Sequence, residues 1–308
     1  MKTCHPAIQL HCPYTSKLLT EIDSVNAEHI LPFALGAPQN FTVLADASEN
    51  SRMANLIDTP CTNDPLIRML AVAAGVESRS GRVVLKTSGT NAATGDEIRA
   101  SISQDGLKFR YQSPVDFDHT TGLPTAVKGF NDEAAVTAEQ IKIKYASKGI
   151  DLELGDTVLS SNPDLHFSFN GNLNLLQQEL IKIAYLMTVF VFGDEAILSD
   201  NGDLFRTGIM AKDFVELAKV GIGGGSGVAE SMAFMPKSQP NNHVLTCFTS
   251  GSNVISAVSL FGVFSACYIT PARGIACEPL TGKVVTIRPS TKAITCISYL
   301  DWLKSHSF

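Results

Sequence analysis

The sequence predicts an α+β protein, and three observations carry that prediction. Short strand-and-turn segments from Cys12 to Asn40 lead into a helical stretch near Ser48 to Asp58, residues 81–150 alternate apolar and polar, and residues 172–193 read as one long apolar helix followed by paired apolar strands. At 308 residues, with 44% hydrophobic and 18% charged side chains, the chain has the length for a substantial core and the composition of a globular protein. It contains no fixed-period repeat and no low-complexity run, which excludes solenoid and fibrous architectures.

The elements follow in order. The N-terminal region reads β-β-α over residues 12–58. A helix then starts at Asp64, whose carboxylate suits an N-cap, with Pro65 at the first helical position, LIRMLAVAA as its body and Gly75 as its stop. The segments RVVLKTS, IRASIS, LKFRYQS and AVTAEQIKIKYAS alternate between turn residues and predict a β-rich middle, with a helix near Asp132 to Gln140. Asn172 to Gly193 is the strongest helix signal in the chain, and its nearly all-apolar surface, interrupted by Glu179 and Lys182, implies burial. Beyond it, VGIGGGSGVAE reads as a flexible loop or lid, and VLTCFTSG and NVISAVSLFGVFSACYITP as paired strands. The divisions expected are residues 1–95, 96–150 and 151–308, the last an α+β C-terminal domain.

Charge and cysteine usage narrow the function classes. A formal net charge of −6 argues against a protein that coats nucleic acid non-specifically, so any contact with phosphate must be local. Arg79, Arg82 and Lys86 against the single acid Glu77 form the most basic stretch near the N-terminal region. Seven scattered cysteines without a C-x-x-C pair predict a reduced, cytoplasmic protein. The opening residues are broken by Cys4, His5, Pro6, Gln9 and His11 and predict no secretory leader. The apolar stretches Ile181–Gly193 and Asn253–Thr270 are read as too short and too serine-rich, respectively, for membrane spans.

The chemistry concentrates in NAEHILPFALGAPQNFTVLADASENSR, which starts at Asn26. It sets Glu28 beside His29 and places Asn40 and Asn50 further along the same string. A carboxylate and an amide oxygen suit a hard divalent cation, and a neutral imidazole suits activation of water.

This string resembles the HNH endonucleases, whose β-β-α metal finger often reads E-H-[IV]-[IL]-P-x-[AS]-L-G-G before an N-[LF] step. Cys12-Pro13-Tyr14-Thr15 before the string, and Ile57-Asp58-Thr59-Pro60 and NDPLIR from Asn63 after it, extend the resemblance over roughly the first 80 residues. It implies an N-terminal ββα-metal finger within residues 1–95, followed by a mixed α/β C-terminal domain. It also implies hydrolysis of phosphodiester bonds, with DNA the expected partner and Mg²⁺ or Mn²⁺ the expected ion. In that pattern His29 is the general base, Asn40 braces the loop that aims it, and Glu28 and Asn50 hold the metal, with Asn55 as the alternative to Asn50. Arg52, Arg68, Arg79, Arg82 and Lys86 are the candidate phosphate contacts. The rival expectation is a catalytically inactive nucleic-acid-binding or regulatory protein on a degenerate finger. A homodimer would suit double-strand cleavage, although no coiled-coil seam marks one.

The pattern departs from the family in three ways. Thr15, Asp46 and Glu49 stand where many relatives carry zinc-binding cysteines, Ala37 replaces a second glycine, and Glu28 replaces the commoner aspartate; structural zinc is therefore not expected. Other constellations have plainer readings. Cys4, His5, His11 and Cys12 lack a zinc hook, Asp116-Phe117-Asp118-His119 before two threonines and a glycine reads as a turn, and the glycine run lacks the Lys-Ser/Thr pair of a phosphate loop. Lys182 and Tyr185 either face the finger or sit on a buried amphipathic helix whose lysine snorkels to the surface.

Overall fold

The computed structural model describes residues 5–78, 81–159, 163–226, 235–276 and 278–306. A 3₁₀ turn over Leu19–Glu21 precedes β1 (Val25–His29), a 3₁₀ turn over Phe33–Leu35, β2 (Thr42–Asp46) and α1 (Ala47–Met53). The strands pair antiparallel, Val25 opposite Asp46 through His29 opposite Thr42. This is the β-β-α order read from the sequence. The helical stretch runs further than expected, through a π-helical turn over Ala54–Asp58 into α2 (Thr59–Asn63). Helix α3 (Pro65–Ala73) begins as predicted, with the Asp64 carboxylate accepting from the amides of Leu66 and Ile67. A two-residue hairpin follows, β3 (Glu77–Ser78) with β4 (Gly81–Arg82).

The middle of the chain holds β5 (Leu85–Asn91), β6 (Glu97–Ser103), β7 (Gly106–Tyr111), the hairpin β8 (Val115–Phe117) and β9 (Pro124–Val127), helix α4 (Glu133–Ala146) and β10 (Leu165–Phe167). Four of these strands form an antiparallel sheet in the order β10-β5-β6-β7. Between β8 and β9, Asp118 accepts from the amides of Thr120 and Thr121 and from the Thr121 hydroxyl, the turn chemistry its neighbours predict. The alternation of IKIKYAS proved misleading. Those residues end α4, because a four-residue apolar-polar alternation fits either period and the helix signal from Asp132 onward continues through it.

The remaining elements are α5 (Leu173–Phe192), α6 (Asp194–Ile197), α7 (Asp200–Ile209), α8 (Phe214–Val220), β11 (Gly223–Ser226), β12 (His243–Ser250), β13 (Asn253–Leu260), β14 (Phe264–Pro271), β15 (Gly282–Arg288), β16 (Ala293–Ser298) and α9 (Tyr299–Ser305). Six strands make one antiparallel sheet, ordered β11-β14-β13-β12-β15-β16. Part of the supposed flexible glycine run is its edge strand. At Gly224, with φ of +93°, a Cβ would lie 2.0 Å from the Cys267 carbonyl oxygen, so glycine is required there by close backbone approach.

Both faces of this sheet are covered. Leu245, Val254, Val258, Tyr268 and Val285 join the large core around α5, while Val244, Phe248, Ile255 and Val284 join Tyr299 and Trp302 of α9 in a second cluster. Burial on both faces replaces alternation by a continuous apolar run, which is why Asn253–Thr270 resembles a membrane segment in sequence. Helix α5 is long and apolar enough to cross a membrane by length and composition, yet 83% of its apolar window is buried. Cys12, Cys61, Cys247 and Cys267 are buried thiols, whereas Cys296 is disulfide-bonded, so the cysteines are not the fully reduced set that was expected.

The compact units do not follow the expected sequential divisions. One unit comprises Met1–Val83 with Asn170–Phe308, and the other Val84–Phe169. The first unit has a single principal core, in which Ile30, Leu31, Leu35, Phe41, Met53 and Ile57 pack with Tyr185, Leu186 and Phe190 of α5. The N-terminal residues therefore bury their apolar face on a helix more than a hundred positions away. A fragment of residues 1–83 is expected to lack a fixed fold, giving a narrow amide spectrum; dispersed amide resonances from that fragment would contradict the shared core.

Candidate active site

Glu28 and His29 end β1, opposite Val43 and Thr42. Successive strand residues project to opposite faces, so Asn26 and Glu28 share the face of the buried Val43 and Ala45 while His29 takes the other. His29 is half-buried, its ring edge-on to Phe33 with centroids 6.2 Å apart. Asn50 reaches the strand from α1, donating to Asn26 Oδ1 at 2.8 Å and to the Ala27 carbonyl at 3.2 Å. It is thereby held on the Glu28 side of β1. Asp46 sets the start of that helix by accepting from the amides of Ser48 and Glu49, and its bonds from Ser48 draw its pKa below the ordinary value. Asn55 lies exposed on the π-helical turn, and its side chain makes no hydrogen bond among the described residues.

The loop after His29 is fixed by a residue the sequence reading passed over. His243, completely buried on β12, bonds through Nε2 to the Leu35 carbonyl at 2.9 Å, and its Nδ1 accepts from the Phe261 amide at 3.1 Å. The amide contact requires an unprotonated Nδ1, so the ring is neutral and Nε2 donates. Burial pushes its pKa down to about 4, against the opposing bond to Leu35. Asn40 lies exposed in the turn between Pro38 and Phe41 and makes no side-chain hydrogen bond among the described residues. Gly36, with φ of +89°, could not carry a side chain, because a Cβ would come within 2.6 Å of Pro289.

Beneath β1 lies a buried charged cluster. Lys182 of α5 has no exposed surface, and its ammonium lies 2.7 Å from Glu28 Oε1 and 2.5 Å from Asp58 Oδ1. The Tyr14 hydroxyl donates to the same Glu28 oxygen at 2.7 Å. The snorkelling reading of Lys182 is thus corrected: the ammonium is enclosed because two carboxylates meet it inside the core. Burial pulls the Lys182 pKa down, but Asp58 and Glu28 outweigh it and the ammonium stays above its ordinary value. Burial raises Glu28, with Lys182 opposing. Glu179 is raised well above the carboxylate range by burial and then by Asp58. Neither of its carboxyl oxygens has a hydrogen-bond partner among the described residues.

The basic candidates are dispersed. Arg52 forks onto Glu49 Oε2 through Nε at 2.8 Å and Nη2 at 2.7 Å, Arg68 donates to Asn63, and Arg82 stands exposed on β4 opposite Glu77. Lys86 belongs to the second unit, and Arg79 lies outside the described residues. His11 pairs with Asp194 at 3.1 Å and Cys12 Sγ accepts from the Asp46 amide, so these two serve separate contacts.

Tyr14, Asp58, Glu179 and Lys182 received no catalytic reading from sequence. The available signal was Glu179 with Lys182 in an otherwise apolar helix, since charges on a helix buried all round must find partners. Glu28 Oε2 and Asn50 Oδ1 accept no hydrogen bond among the described residues, and a carboxylate and an amide oxygen are donor types that suit a hard divalent ion, although Glu28 is buried. No group of three or more His, Cys, Asp or Glu side chains suited to a metal occurs among the described residues. Compared with known protein families, curated proteins and solved structures, the chain matches none.

The His243 geometry has a pH consequence. Its pKa falls from 6.5 unfolded to about 4 folded, so the unfolded chain binds the extra proton between those values and stability is lost as pH falls through that window. From pH 7 to pH 4, urea unfolding of the wild type should lose about 3 kcal/mol more than that of His243→Gln. Equal losses in the two proteins would contradict a neutral buried imidazole.

Proposed function

We propose that the first unit is a metal-dependent nuclease of the HNH type that hydrolyses phosphodiester bonds of DNA. The observation that carries this reading is the β1-β2-α1 order, with Glu28 and His29 at the end of the first strand and Asn50 bonded to that strand from the helix. Glu28 Oε2 and Asn50 Oδ1 would hold Mg²⁺ or Mn²⁺, which supplies a Lewis acid for the phosphate and the departing 3′ oxygen. Tyr14 and Lys182 orient Glu28 by engaging its other oxygen. His29, which leaves β1 on the face away from Glu28 and Asn50, would accept a proton from water at the strand's end as the water oxygen attacks phosphorus and the bond to the 3′ oxygen breaks. Arg68 and Arg82 supply phosphate contacts that position rather than specify, while Arg52 is held by Glu49.

A second reading rests on Lys182. Its ammonium already offsets the charge of Glu28, which favours a finger that binds nucleic acid without cutting it. Incubation of supercoiled plasmid with protein and Mg²⁺ or Mn²⁺ separates the two. Nicking should appear, vanish with EDTA and fall at least a hundredfold in His29→Ala. Absence of cutting, together with absence of Mn²⁺ binding, would select the second reading.

A further inference from the structure

The second unit is acidic as a whole, with eight basic and twelve acidic side chains over residues 84–169. Its cations are nevertheless sorted. The ladder places Lys86 opposite Ser101 and Ser101 opposite Lys108, and in the next row Ser88 opposite Arg99 and Arg99 opposite Arg110. Strand alternation puts all of these on one face, and Lys86, Arg99, Lys108 and Arg110 are all exposed. The other face carries the buried Leu85, Ile98 and Ala100 with Phe109 and Tyr111. With strands about 4.8 Å apart and same-face neighbours about 7 Å apart, four cations occupy a patch roughly 10 Å by 7 Å.

This arrangement costs the fold something. Arg99 and Arg110 stand directly opposite each other, and like charges in that position destabilise a sheet. Internal compensation is slight: Arg99 donates to the neutral Gln112, Arg110 meets Glu133 across a solvent-exposed pair, and Lys86 and Lys108 have no acidic partner among the described residues. Glu97 is the single acid that β5, β6 and β7 place on this face. These strands place no aromatic ring there either, so the face lacks the stacking platforms that single strands use. Hydroxyls of Ser88 and Ser101 lie among the cations, a donor set that suits phosphate oxygens.

We propose that this face of β5-β6-β7 is a binding surface for the phosphate backbone of duplex nucleic acid, with Lys86, Arg99, Lys108 and Arg110 as its contacts. It stands on the second unit alone and requires no catalysis. Binding of a labelled 24-base-pair duplex by the full chain in EDTA, followed by fluorescence anisotropy, tests it. Lys86→Thr/Arg99→Thr/Lys108→Thr should weaken binding at least tenfold and shrink the log–log salt slope by about 3, at about 0.9 per lost contact. Its thermal midpoint should be unchanged or higher, because the opposed arginine pair is relieved. Lys142→Thr/Lys144→Thr/Lys148→Thr removes the same charge from α4 and the turn after it and should keep affinity within about twofold. Equal weakening of both variants, no weakening of the first, or binding to phosphatidylserine vesicles but not to the duplex would overturn the proposal. Plasmid nicking with unaltered duplex binding by the first variant would defeat this surface while leaving the nuclease intact; duplex binding through this face without nicking would do the reverse.

Discussion

The ammonium of Lys182 is the constraint on which the first unit depends. Removing a lysine charge from water costs several kcal/mol after relaxation, and that cost is offset only if carboxylates meet it in good geometry. Glu28 arrives from β1, Asp58 from the π-helical turn after α1, and Lys182 from the middle of α5. A shift of any of the three breaks at least one charged contact inside the core. The cluster therefore fixes the end of the strand that carries His29 to the central helix of the C-terminal sheet. Tyr185 and Arg206 reinforce the same junction by donating to the Pro13 carbonyl.

That junction explains what was and was not legible in the sequence. Helix α3 was readable because Asp64, Pro65 and Gly75 are local signals at both ends, and α5 because Asn172 caps a run whose composition persists for five turns. The strand pair β12-β13 was readable as apolar runs, though burial on both sheet faces hid its alternation. Discontinuity was not readable. The partners of Glu28 lie in distant segments, and nothing local to the Glu28-His29 string announces that its carboxylate will meet a lysine on α5. The glycine run failed for a related reason: Gly224 looks flexible alone, but its conformation is dictated by the approach of Cys267 on the neighbouring strand.

The candidate site was partly legible in the same sense. The strand-turn-helix order could be read from the string, and the structure brings Asn50 rather than Asn55 to β1. The support of the loop could not, since His243 comes from β12. An acidic chain that handles nucleic acid must confine its cations to small areas, and local concentration rather than net charge is what attracts phosphate over a Debye length of about 8–10 Å. The sorted face of β5-β6-β7 has that character, whereas Arg52 is committed to Glu49.

The most direct measurement of this account is a double-mutant cycle between Glu28→Gln and Lys182→Met, read by urea unfolding at pH 7. Each single variant leaves a charge or a polar group unpaired in the core and should lose about 3–5 kcal/mol, and the pair together should lose at least 2 kcal/mol less than the sum of the two. Losses that simply add, within about 0.5 kcal/mol, would contradict the claim that this ion pair binds β1 to α5.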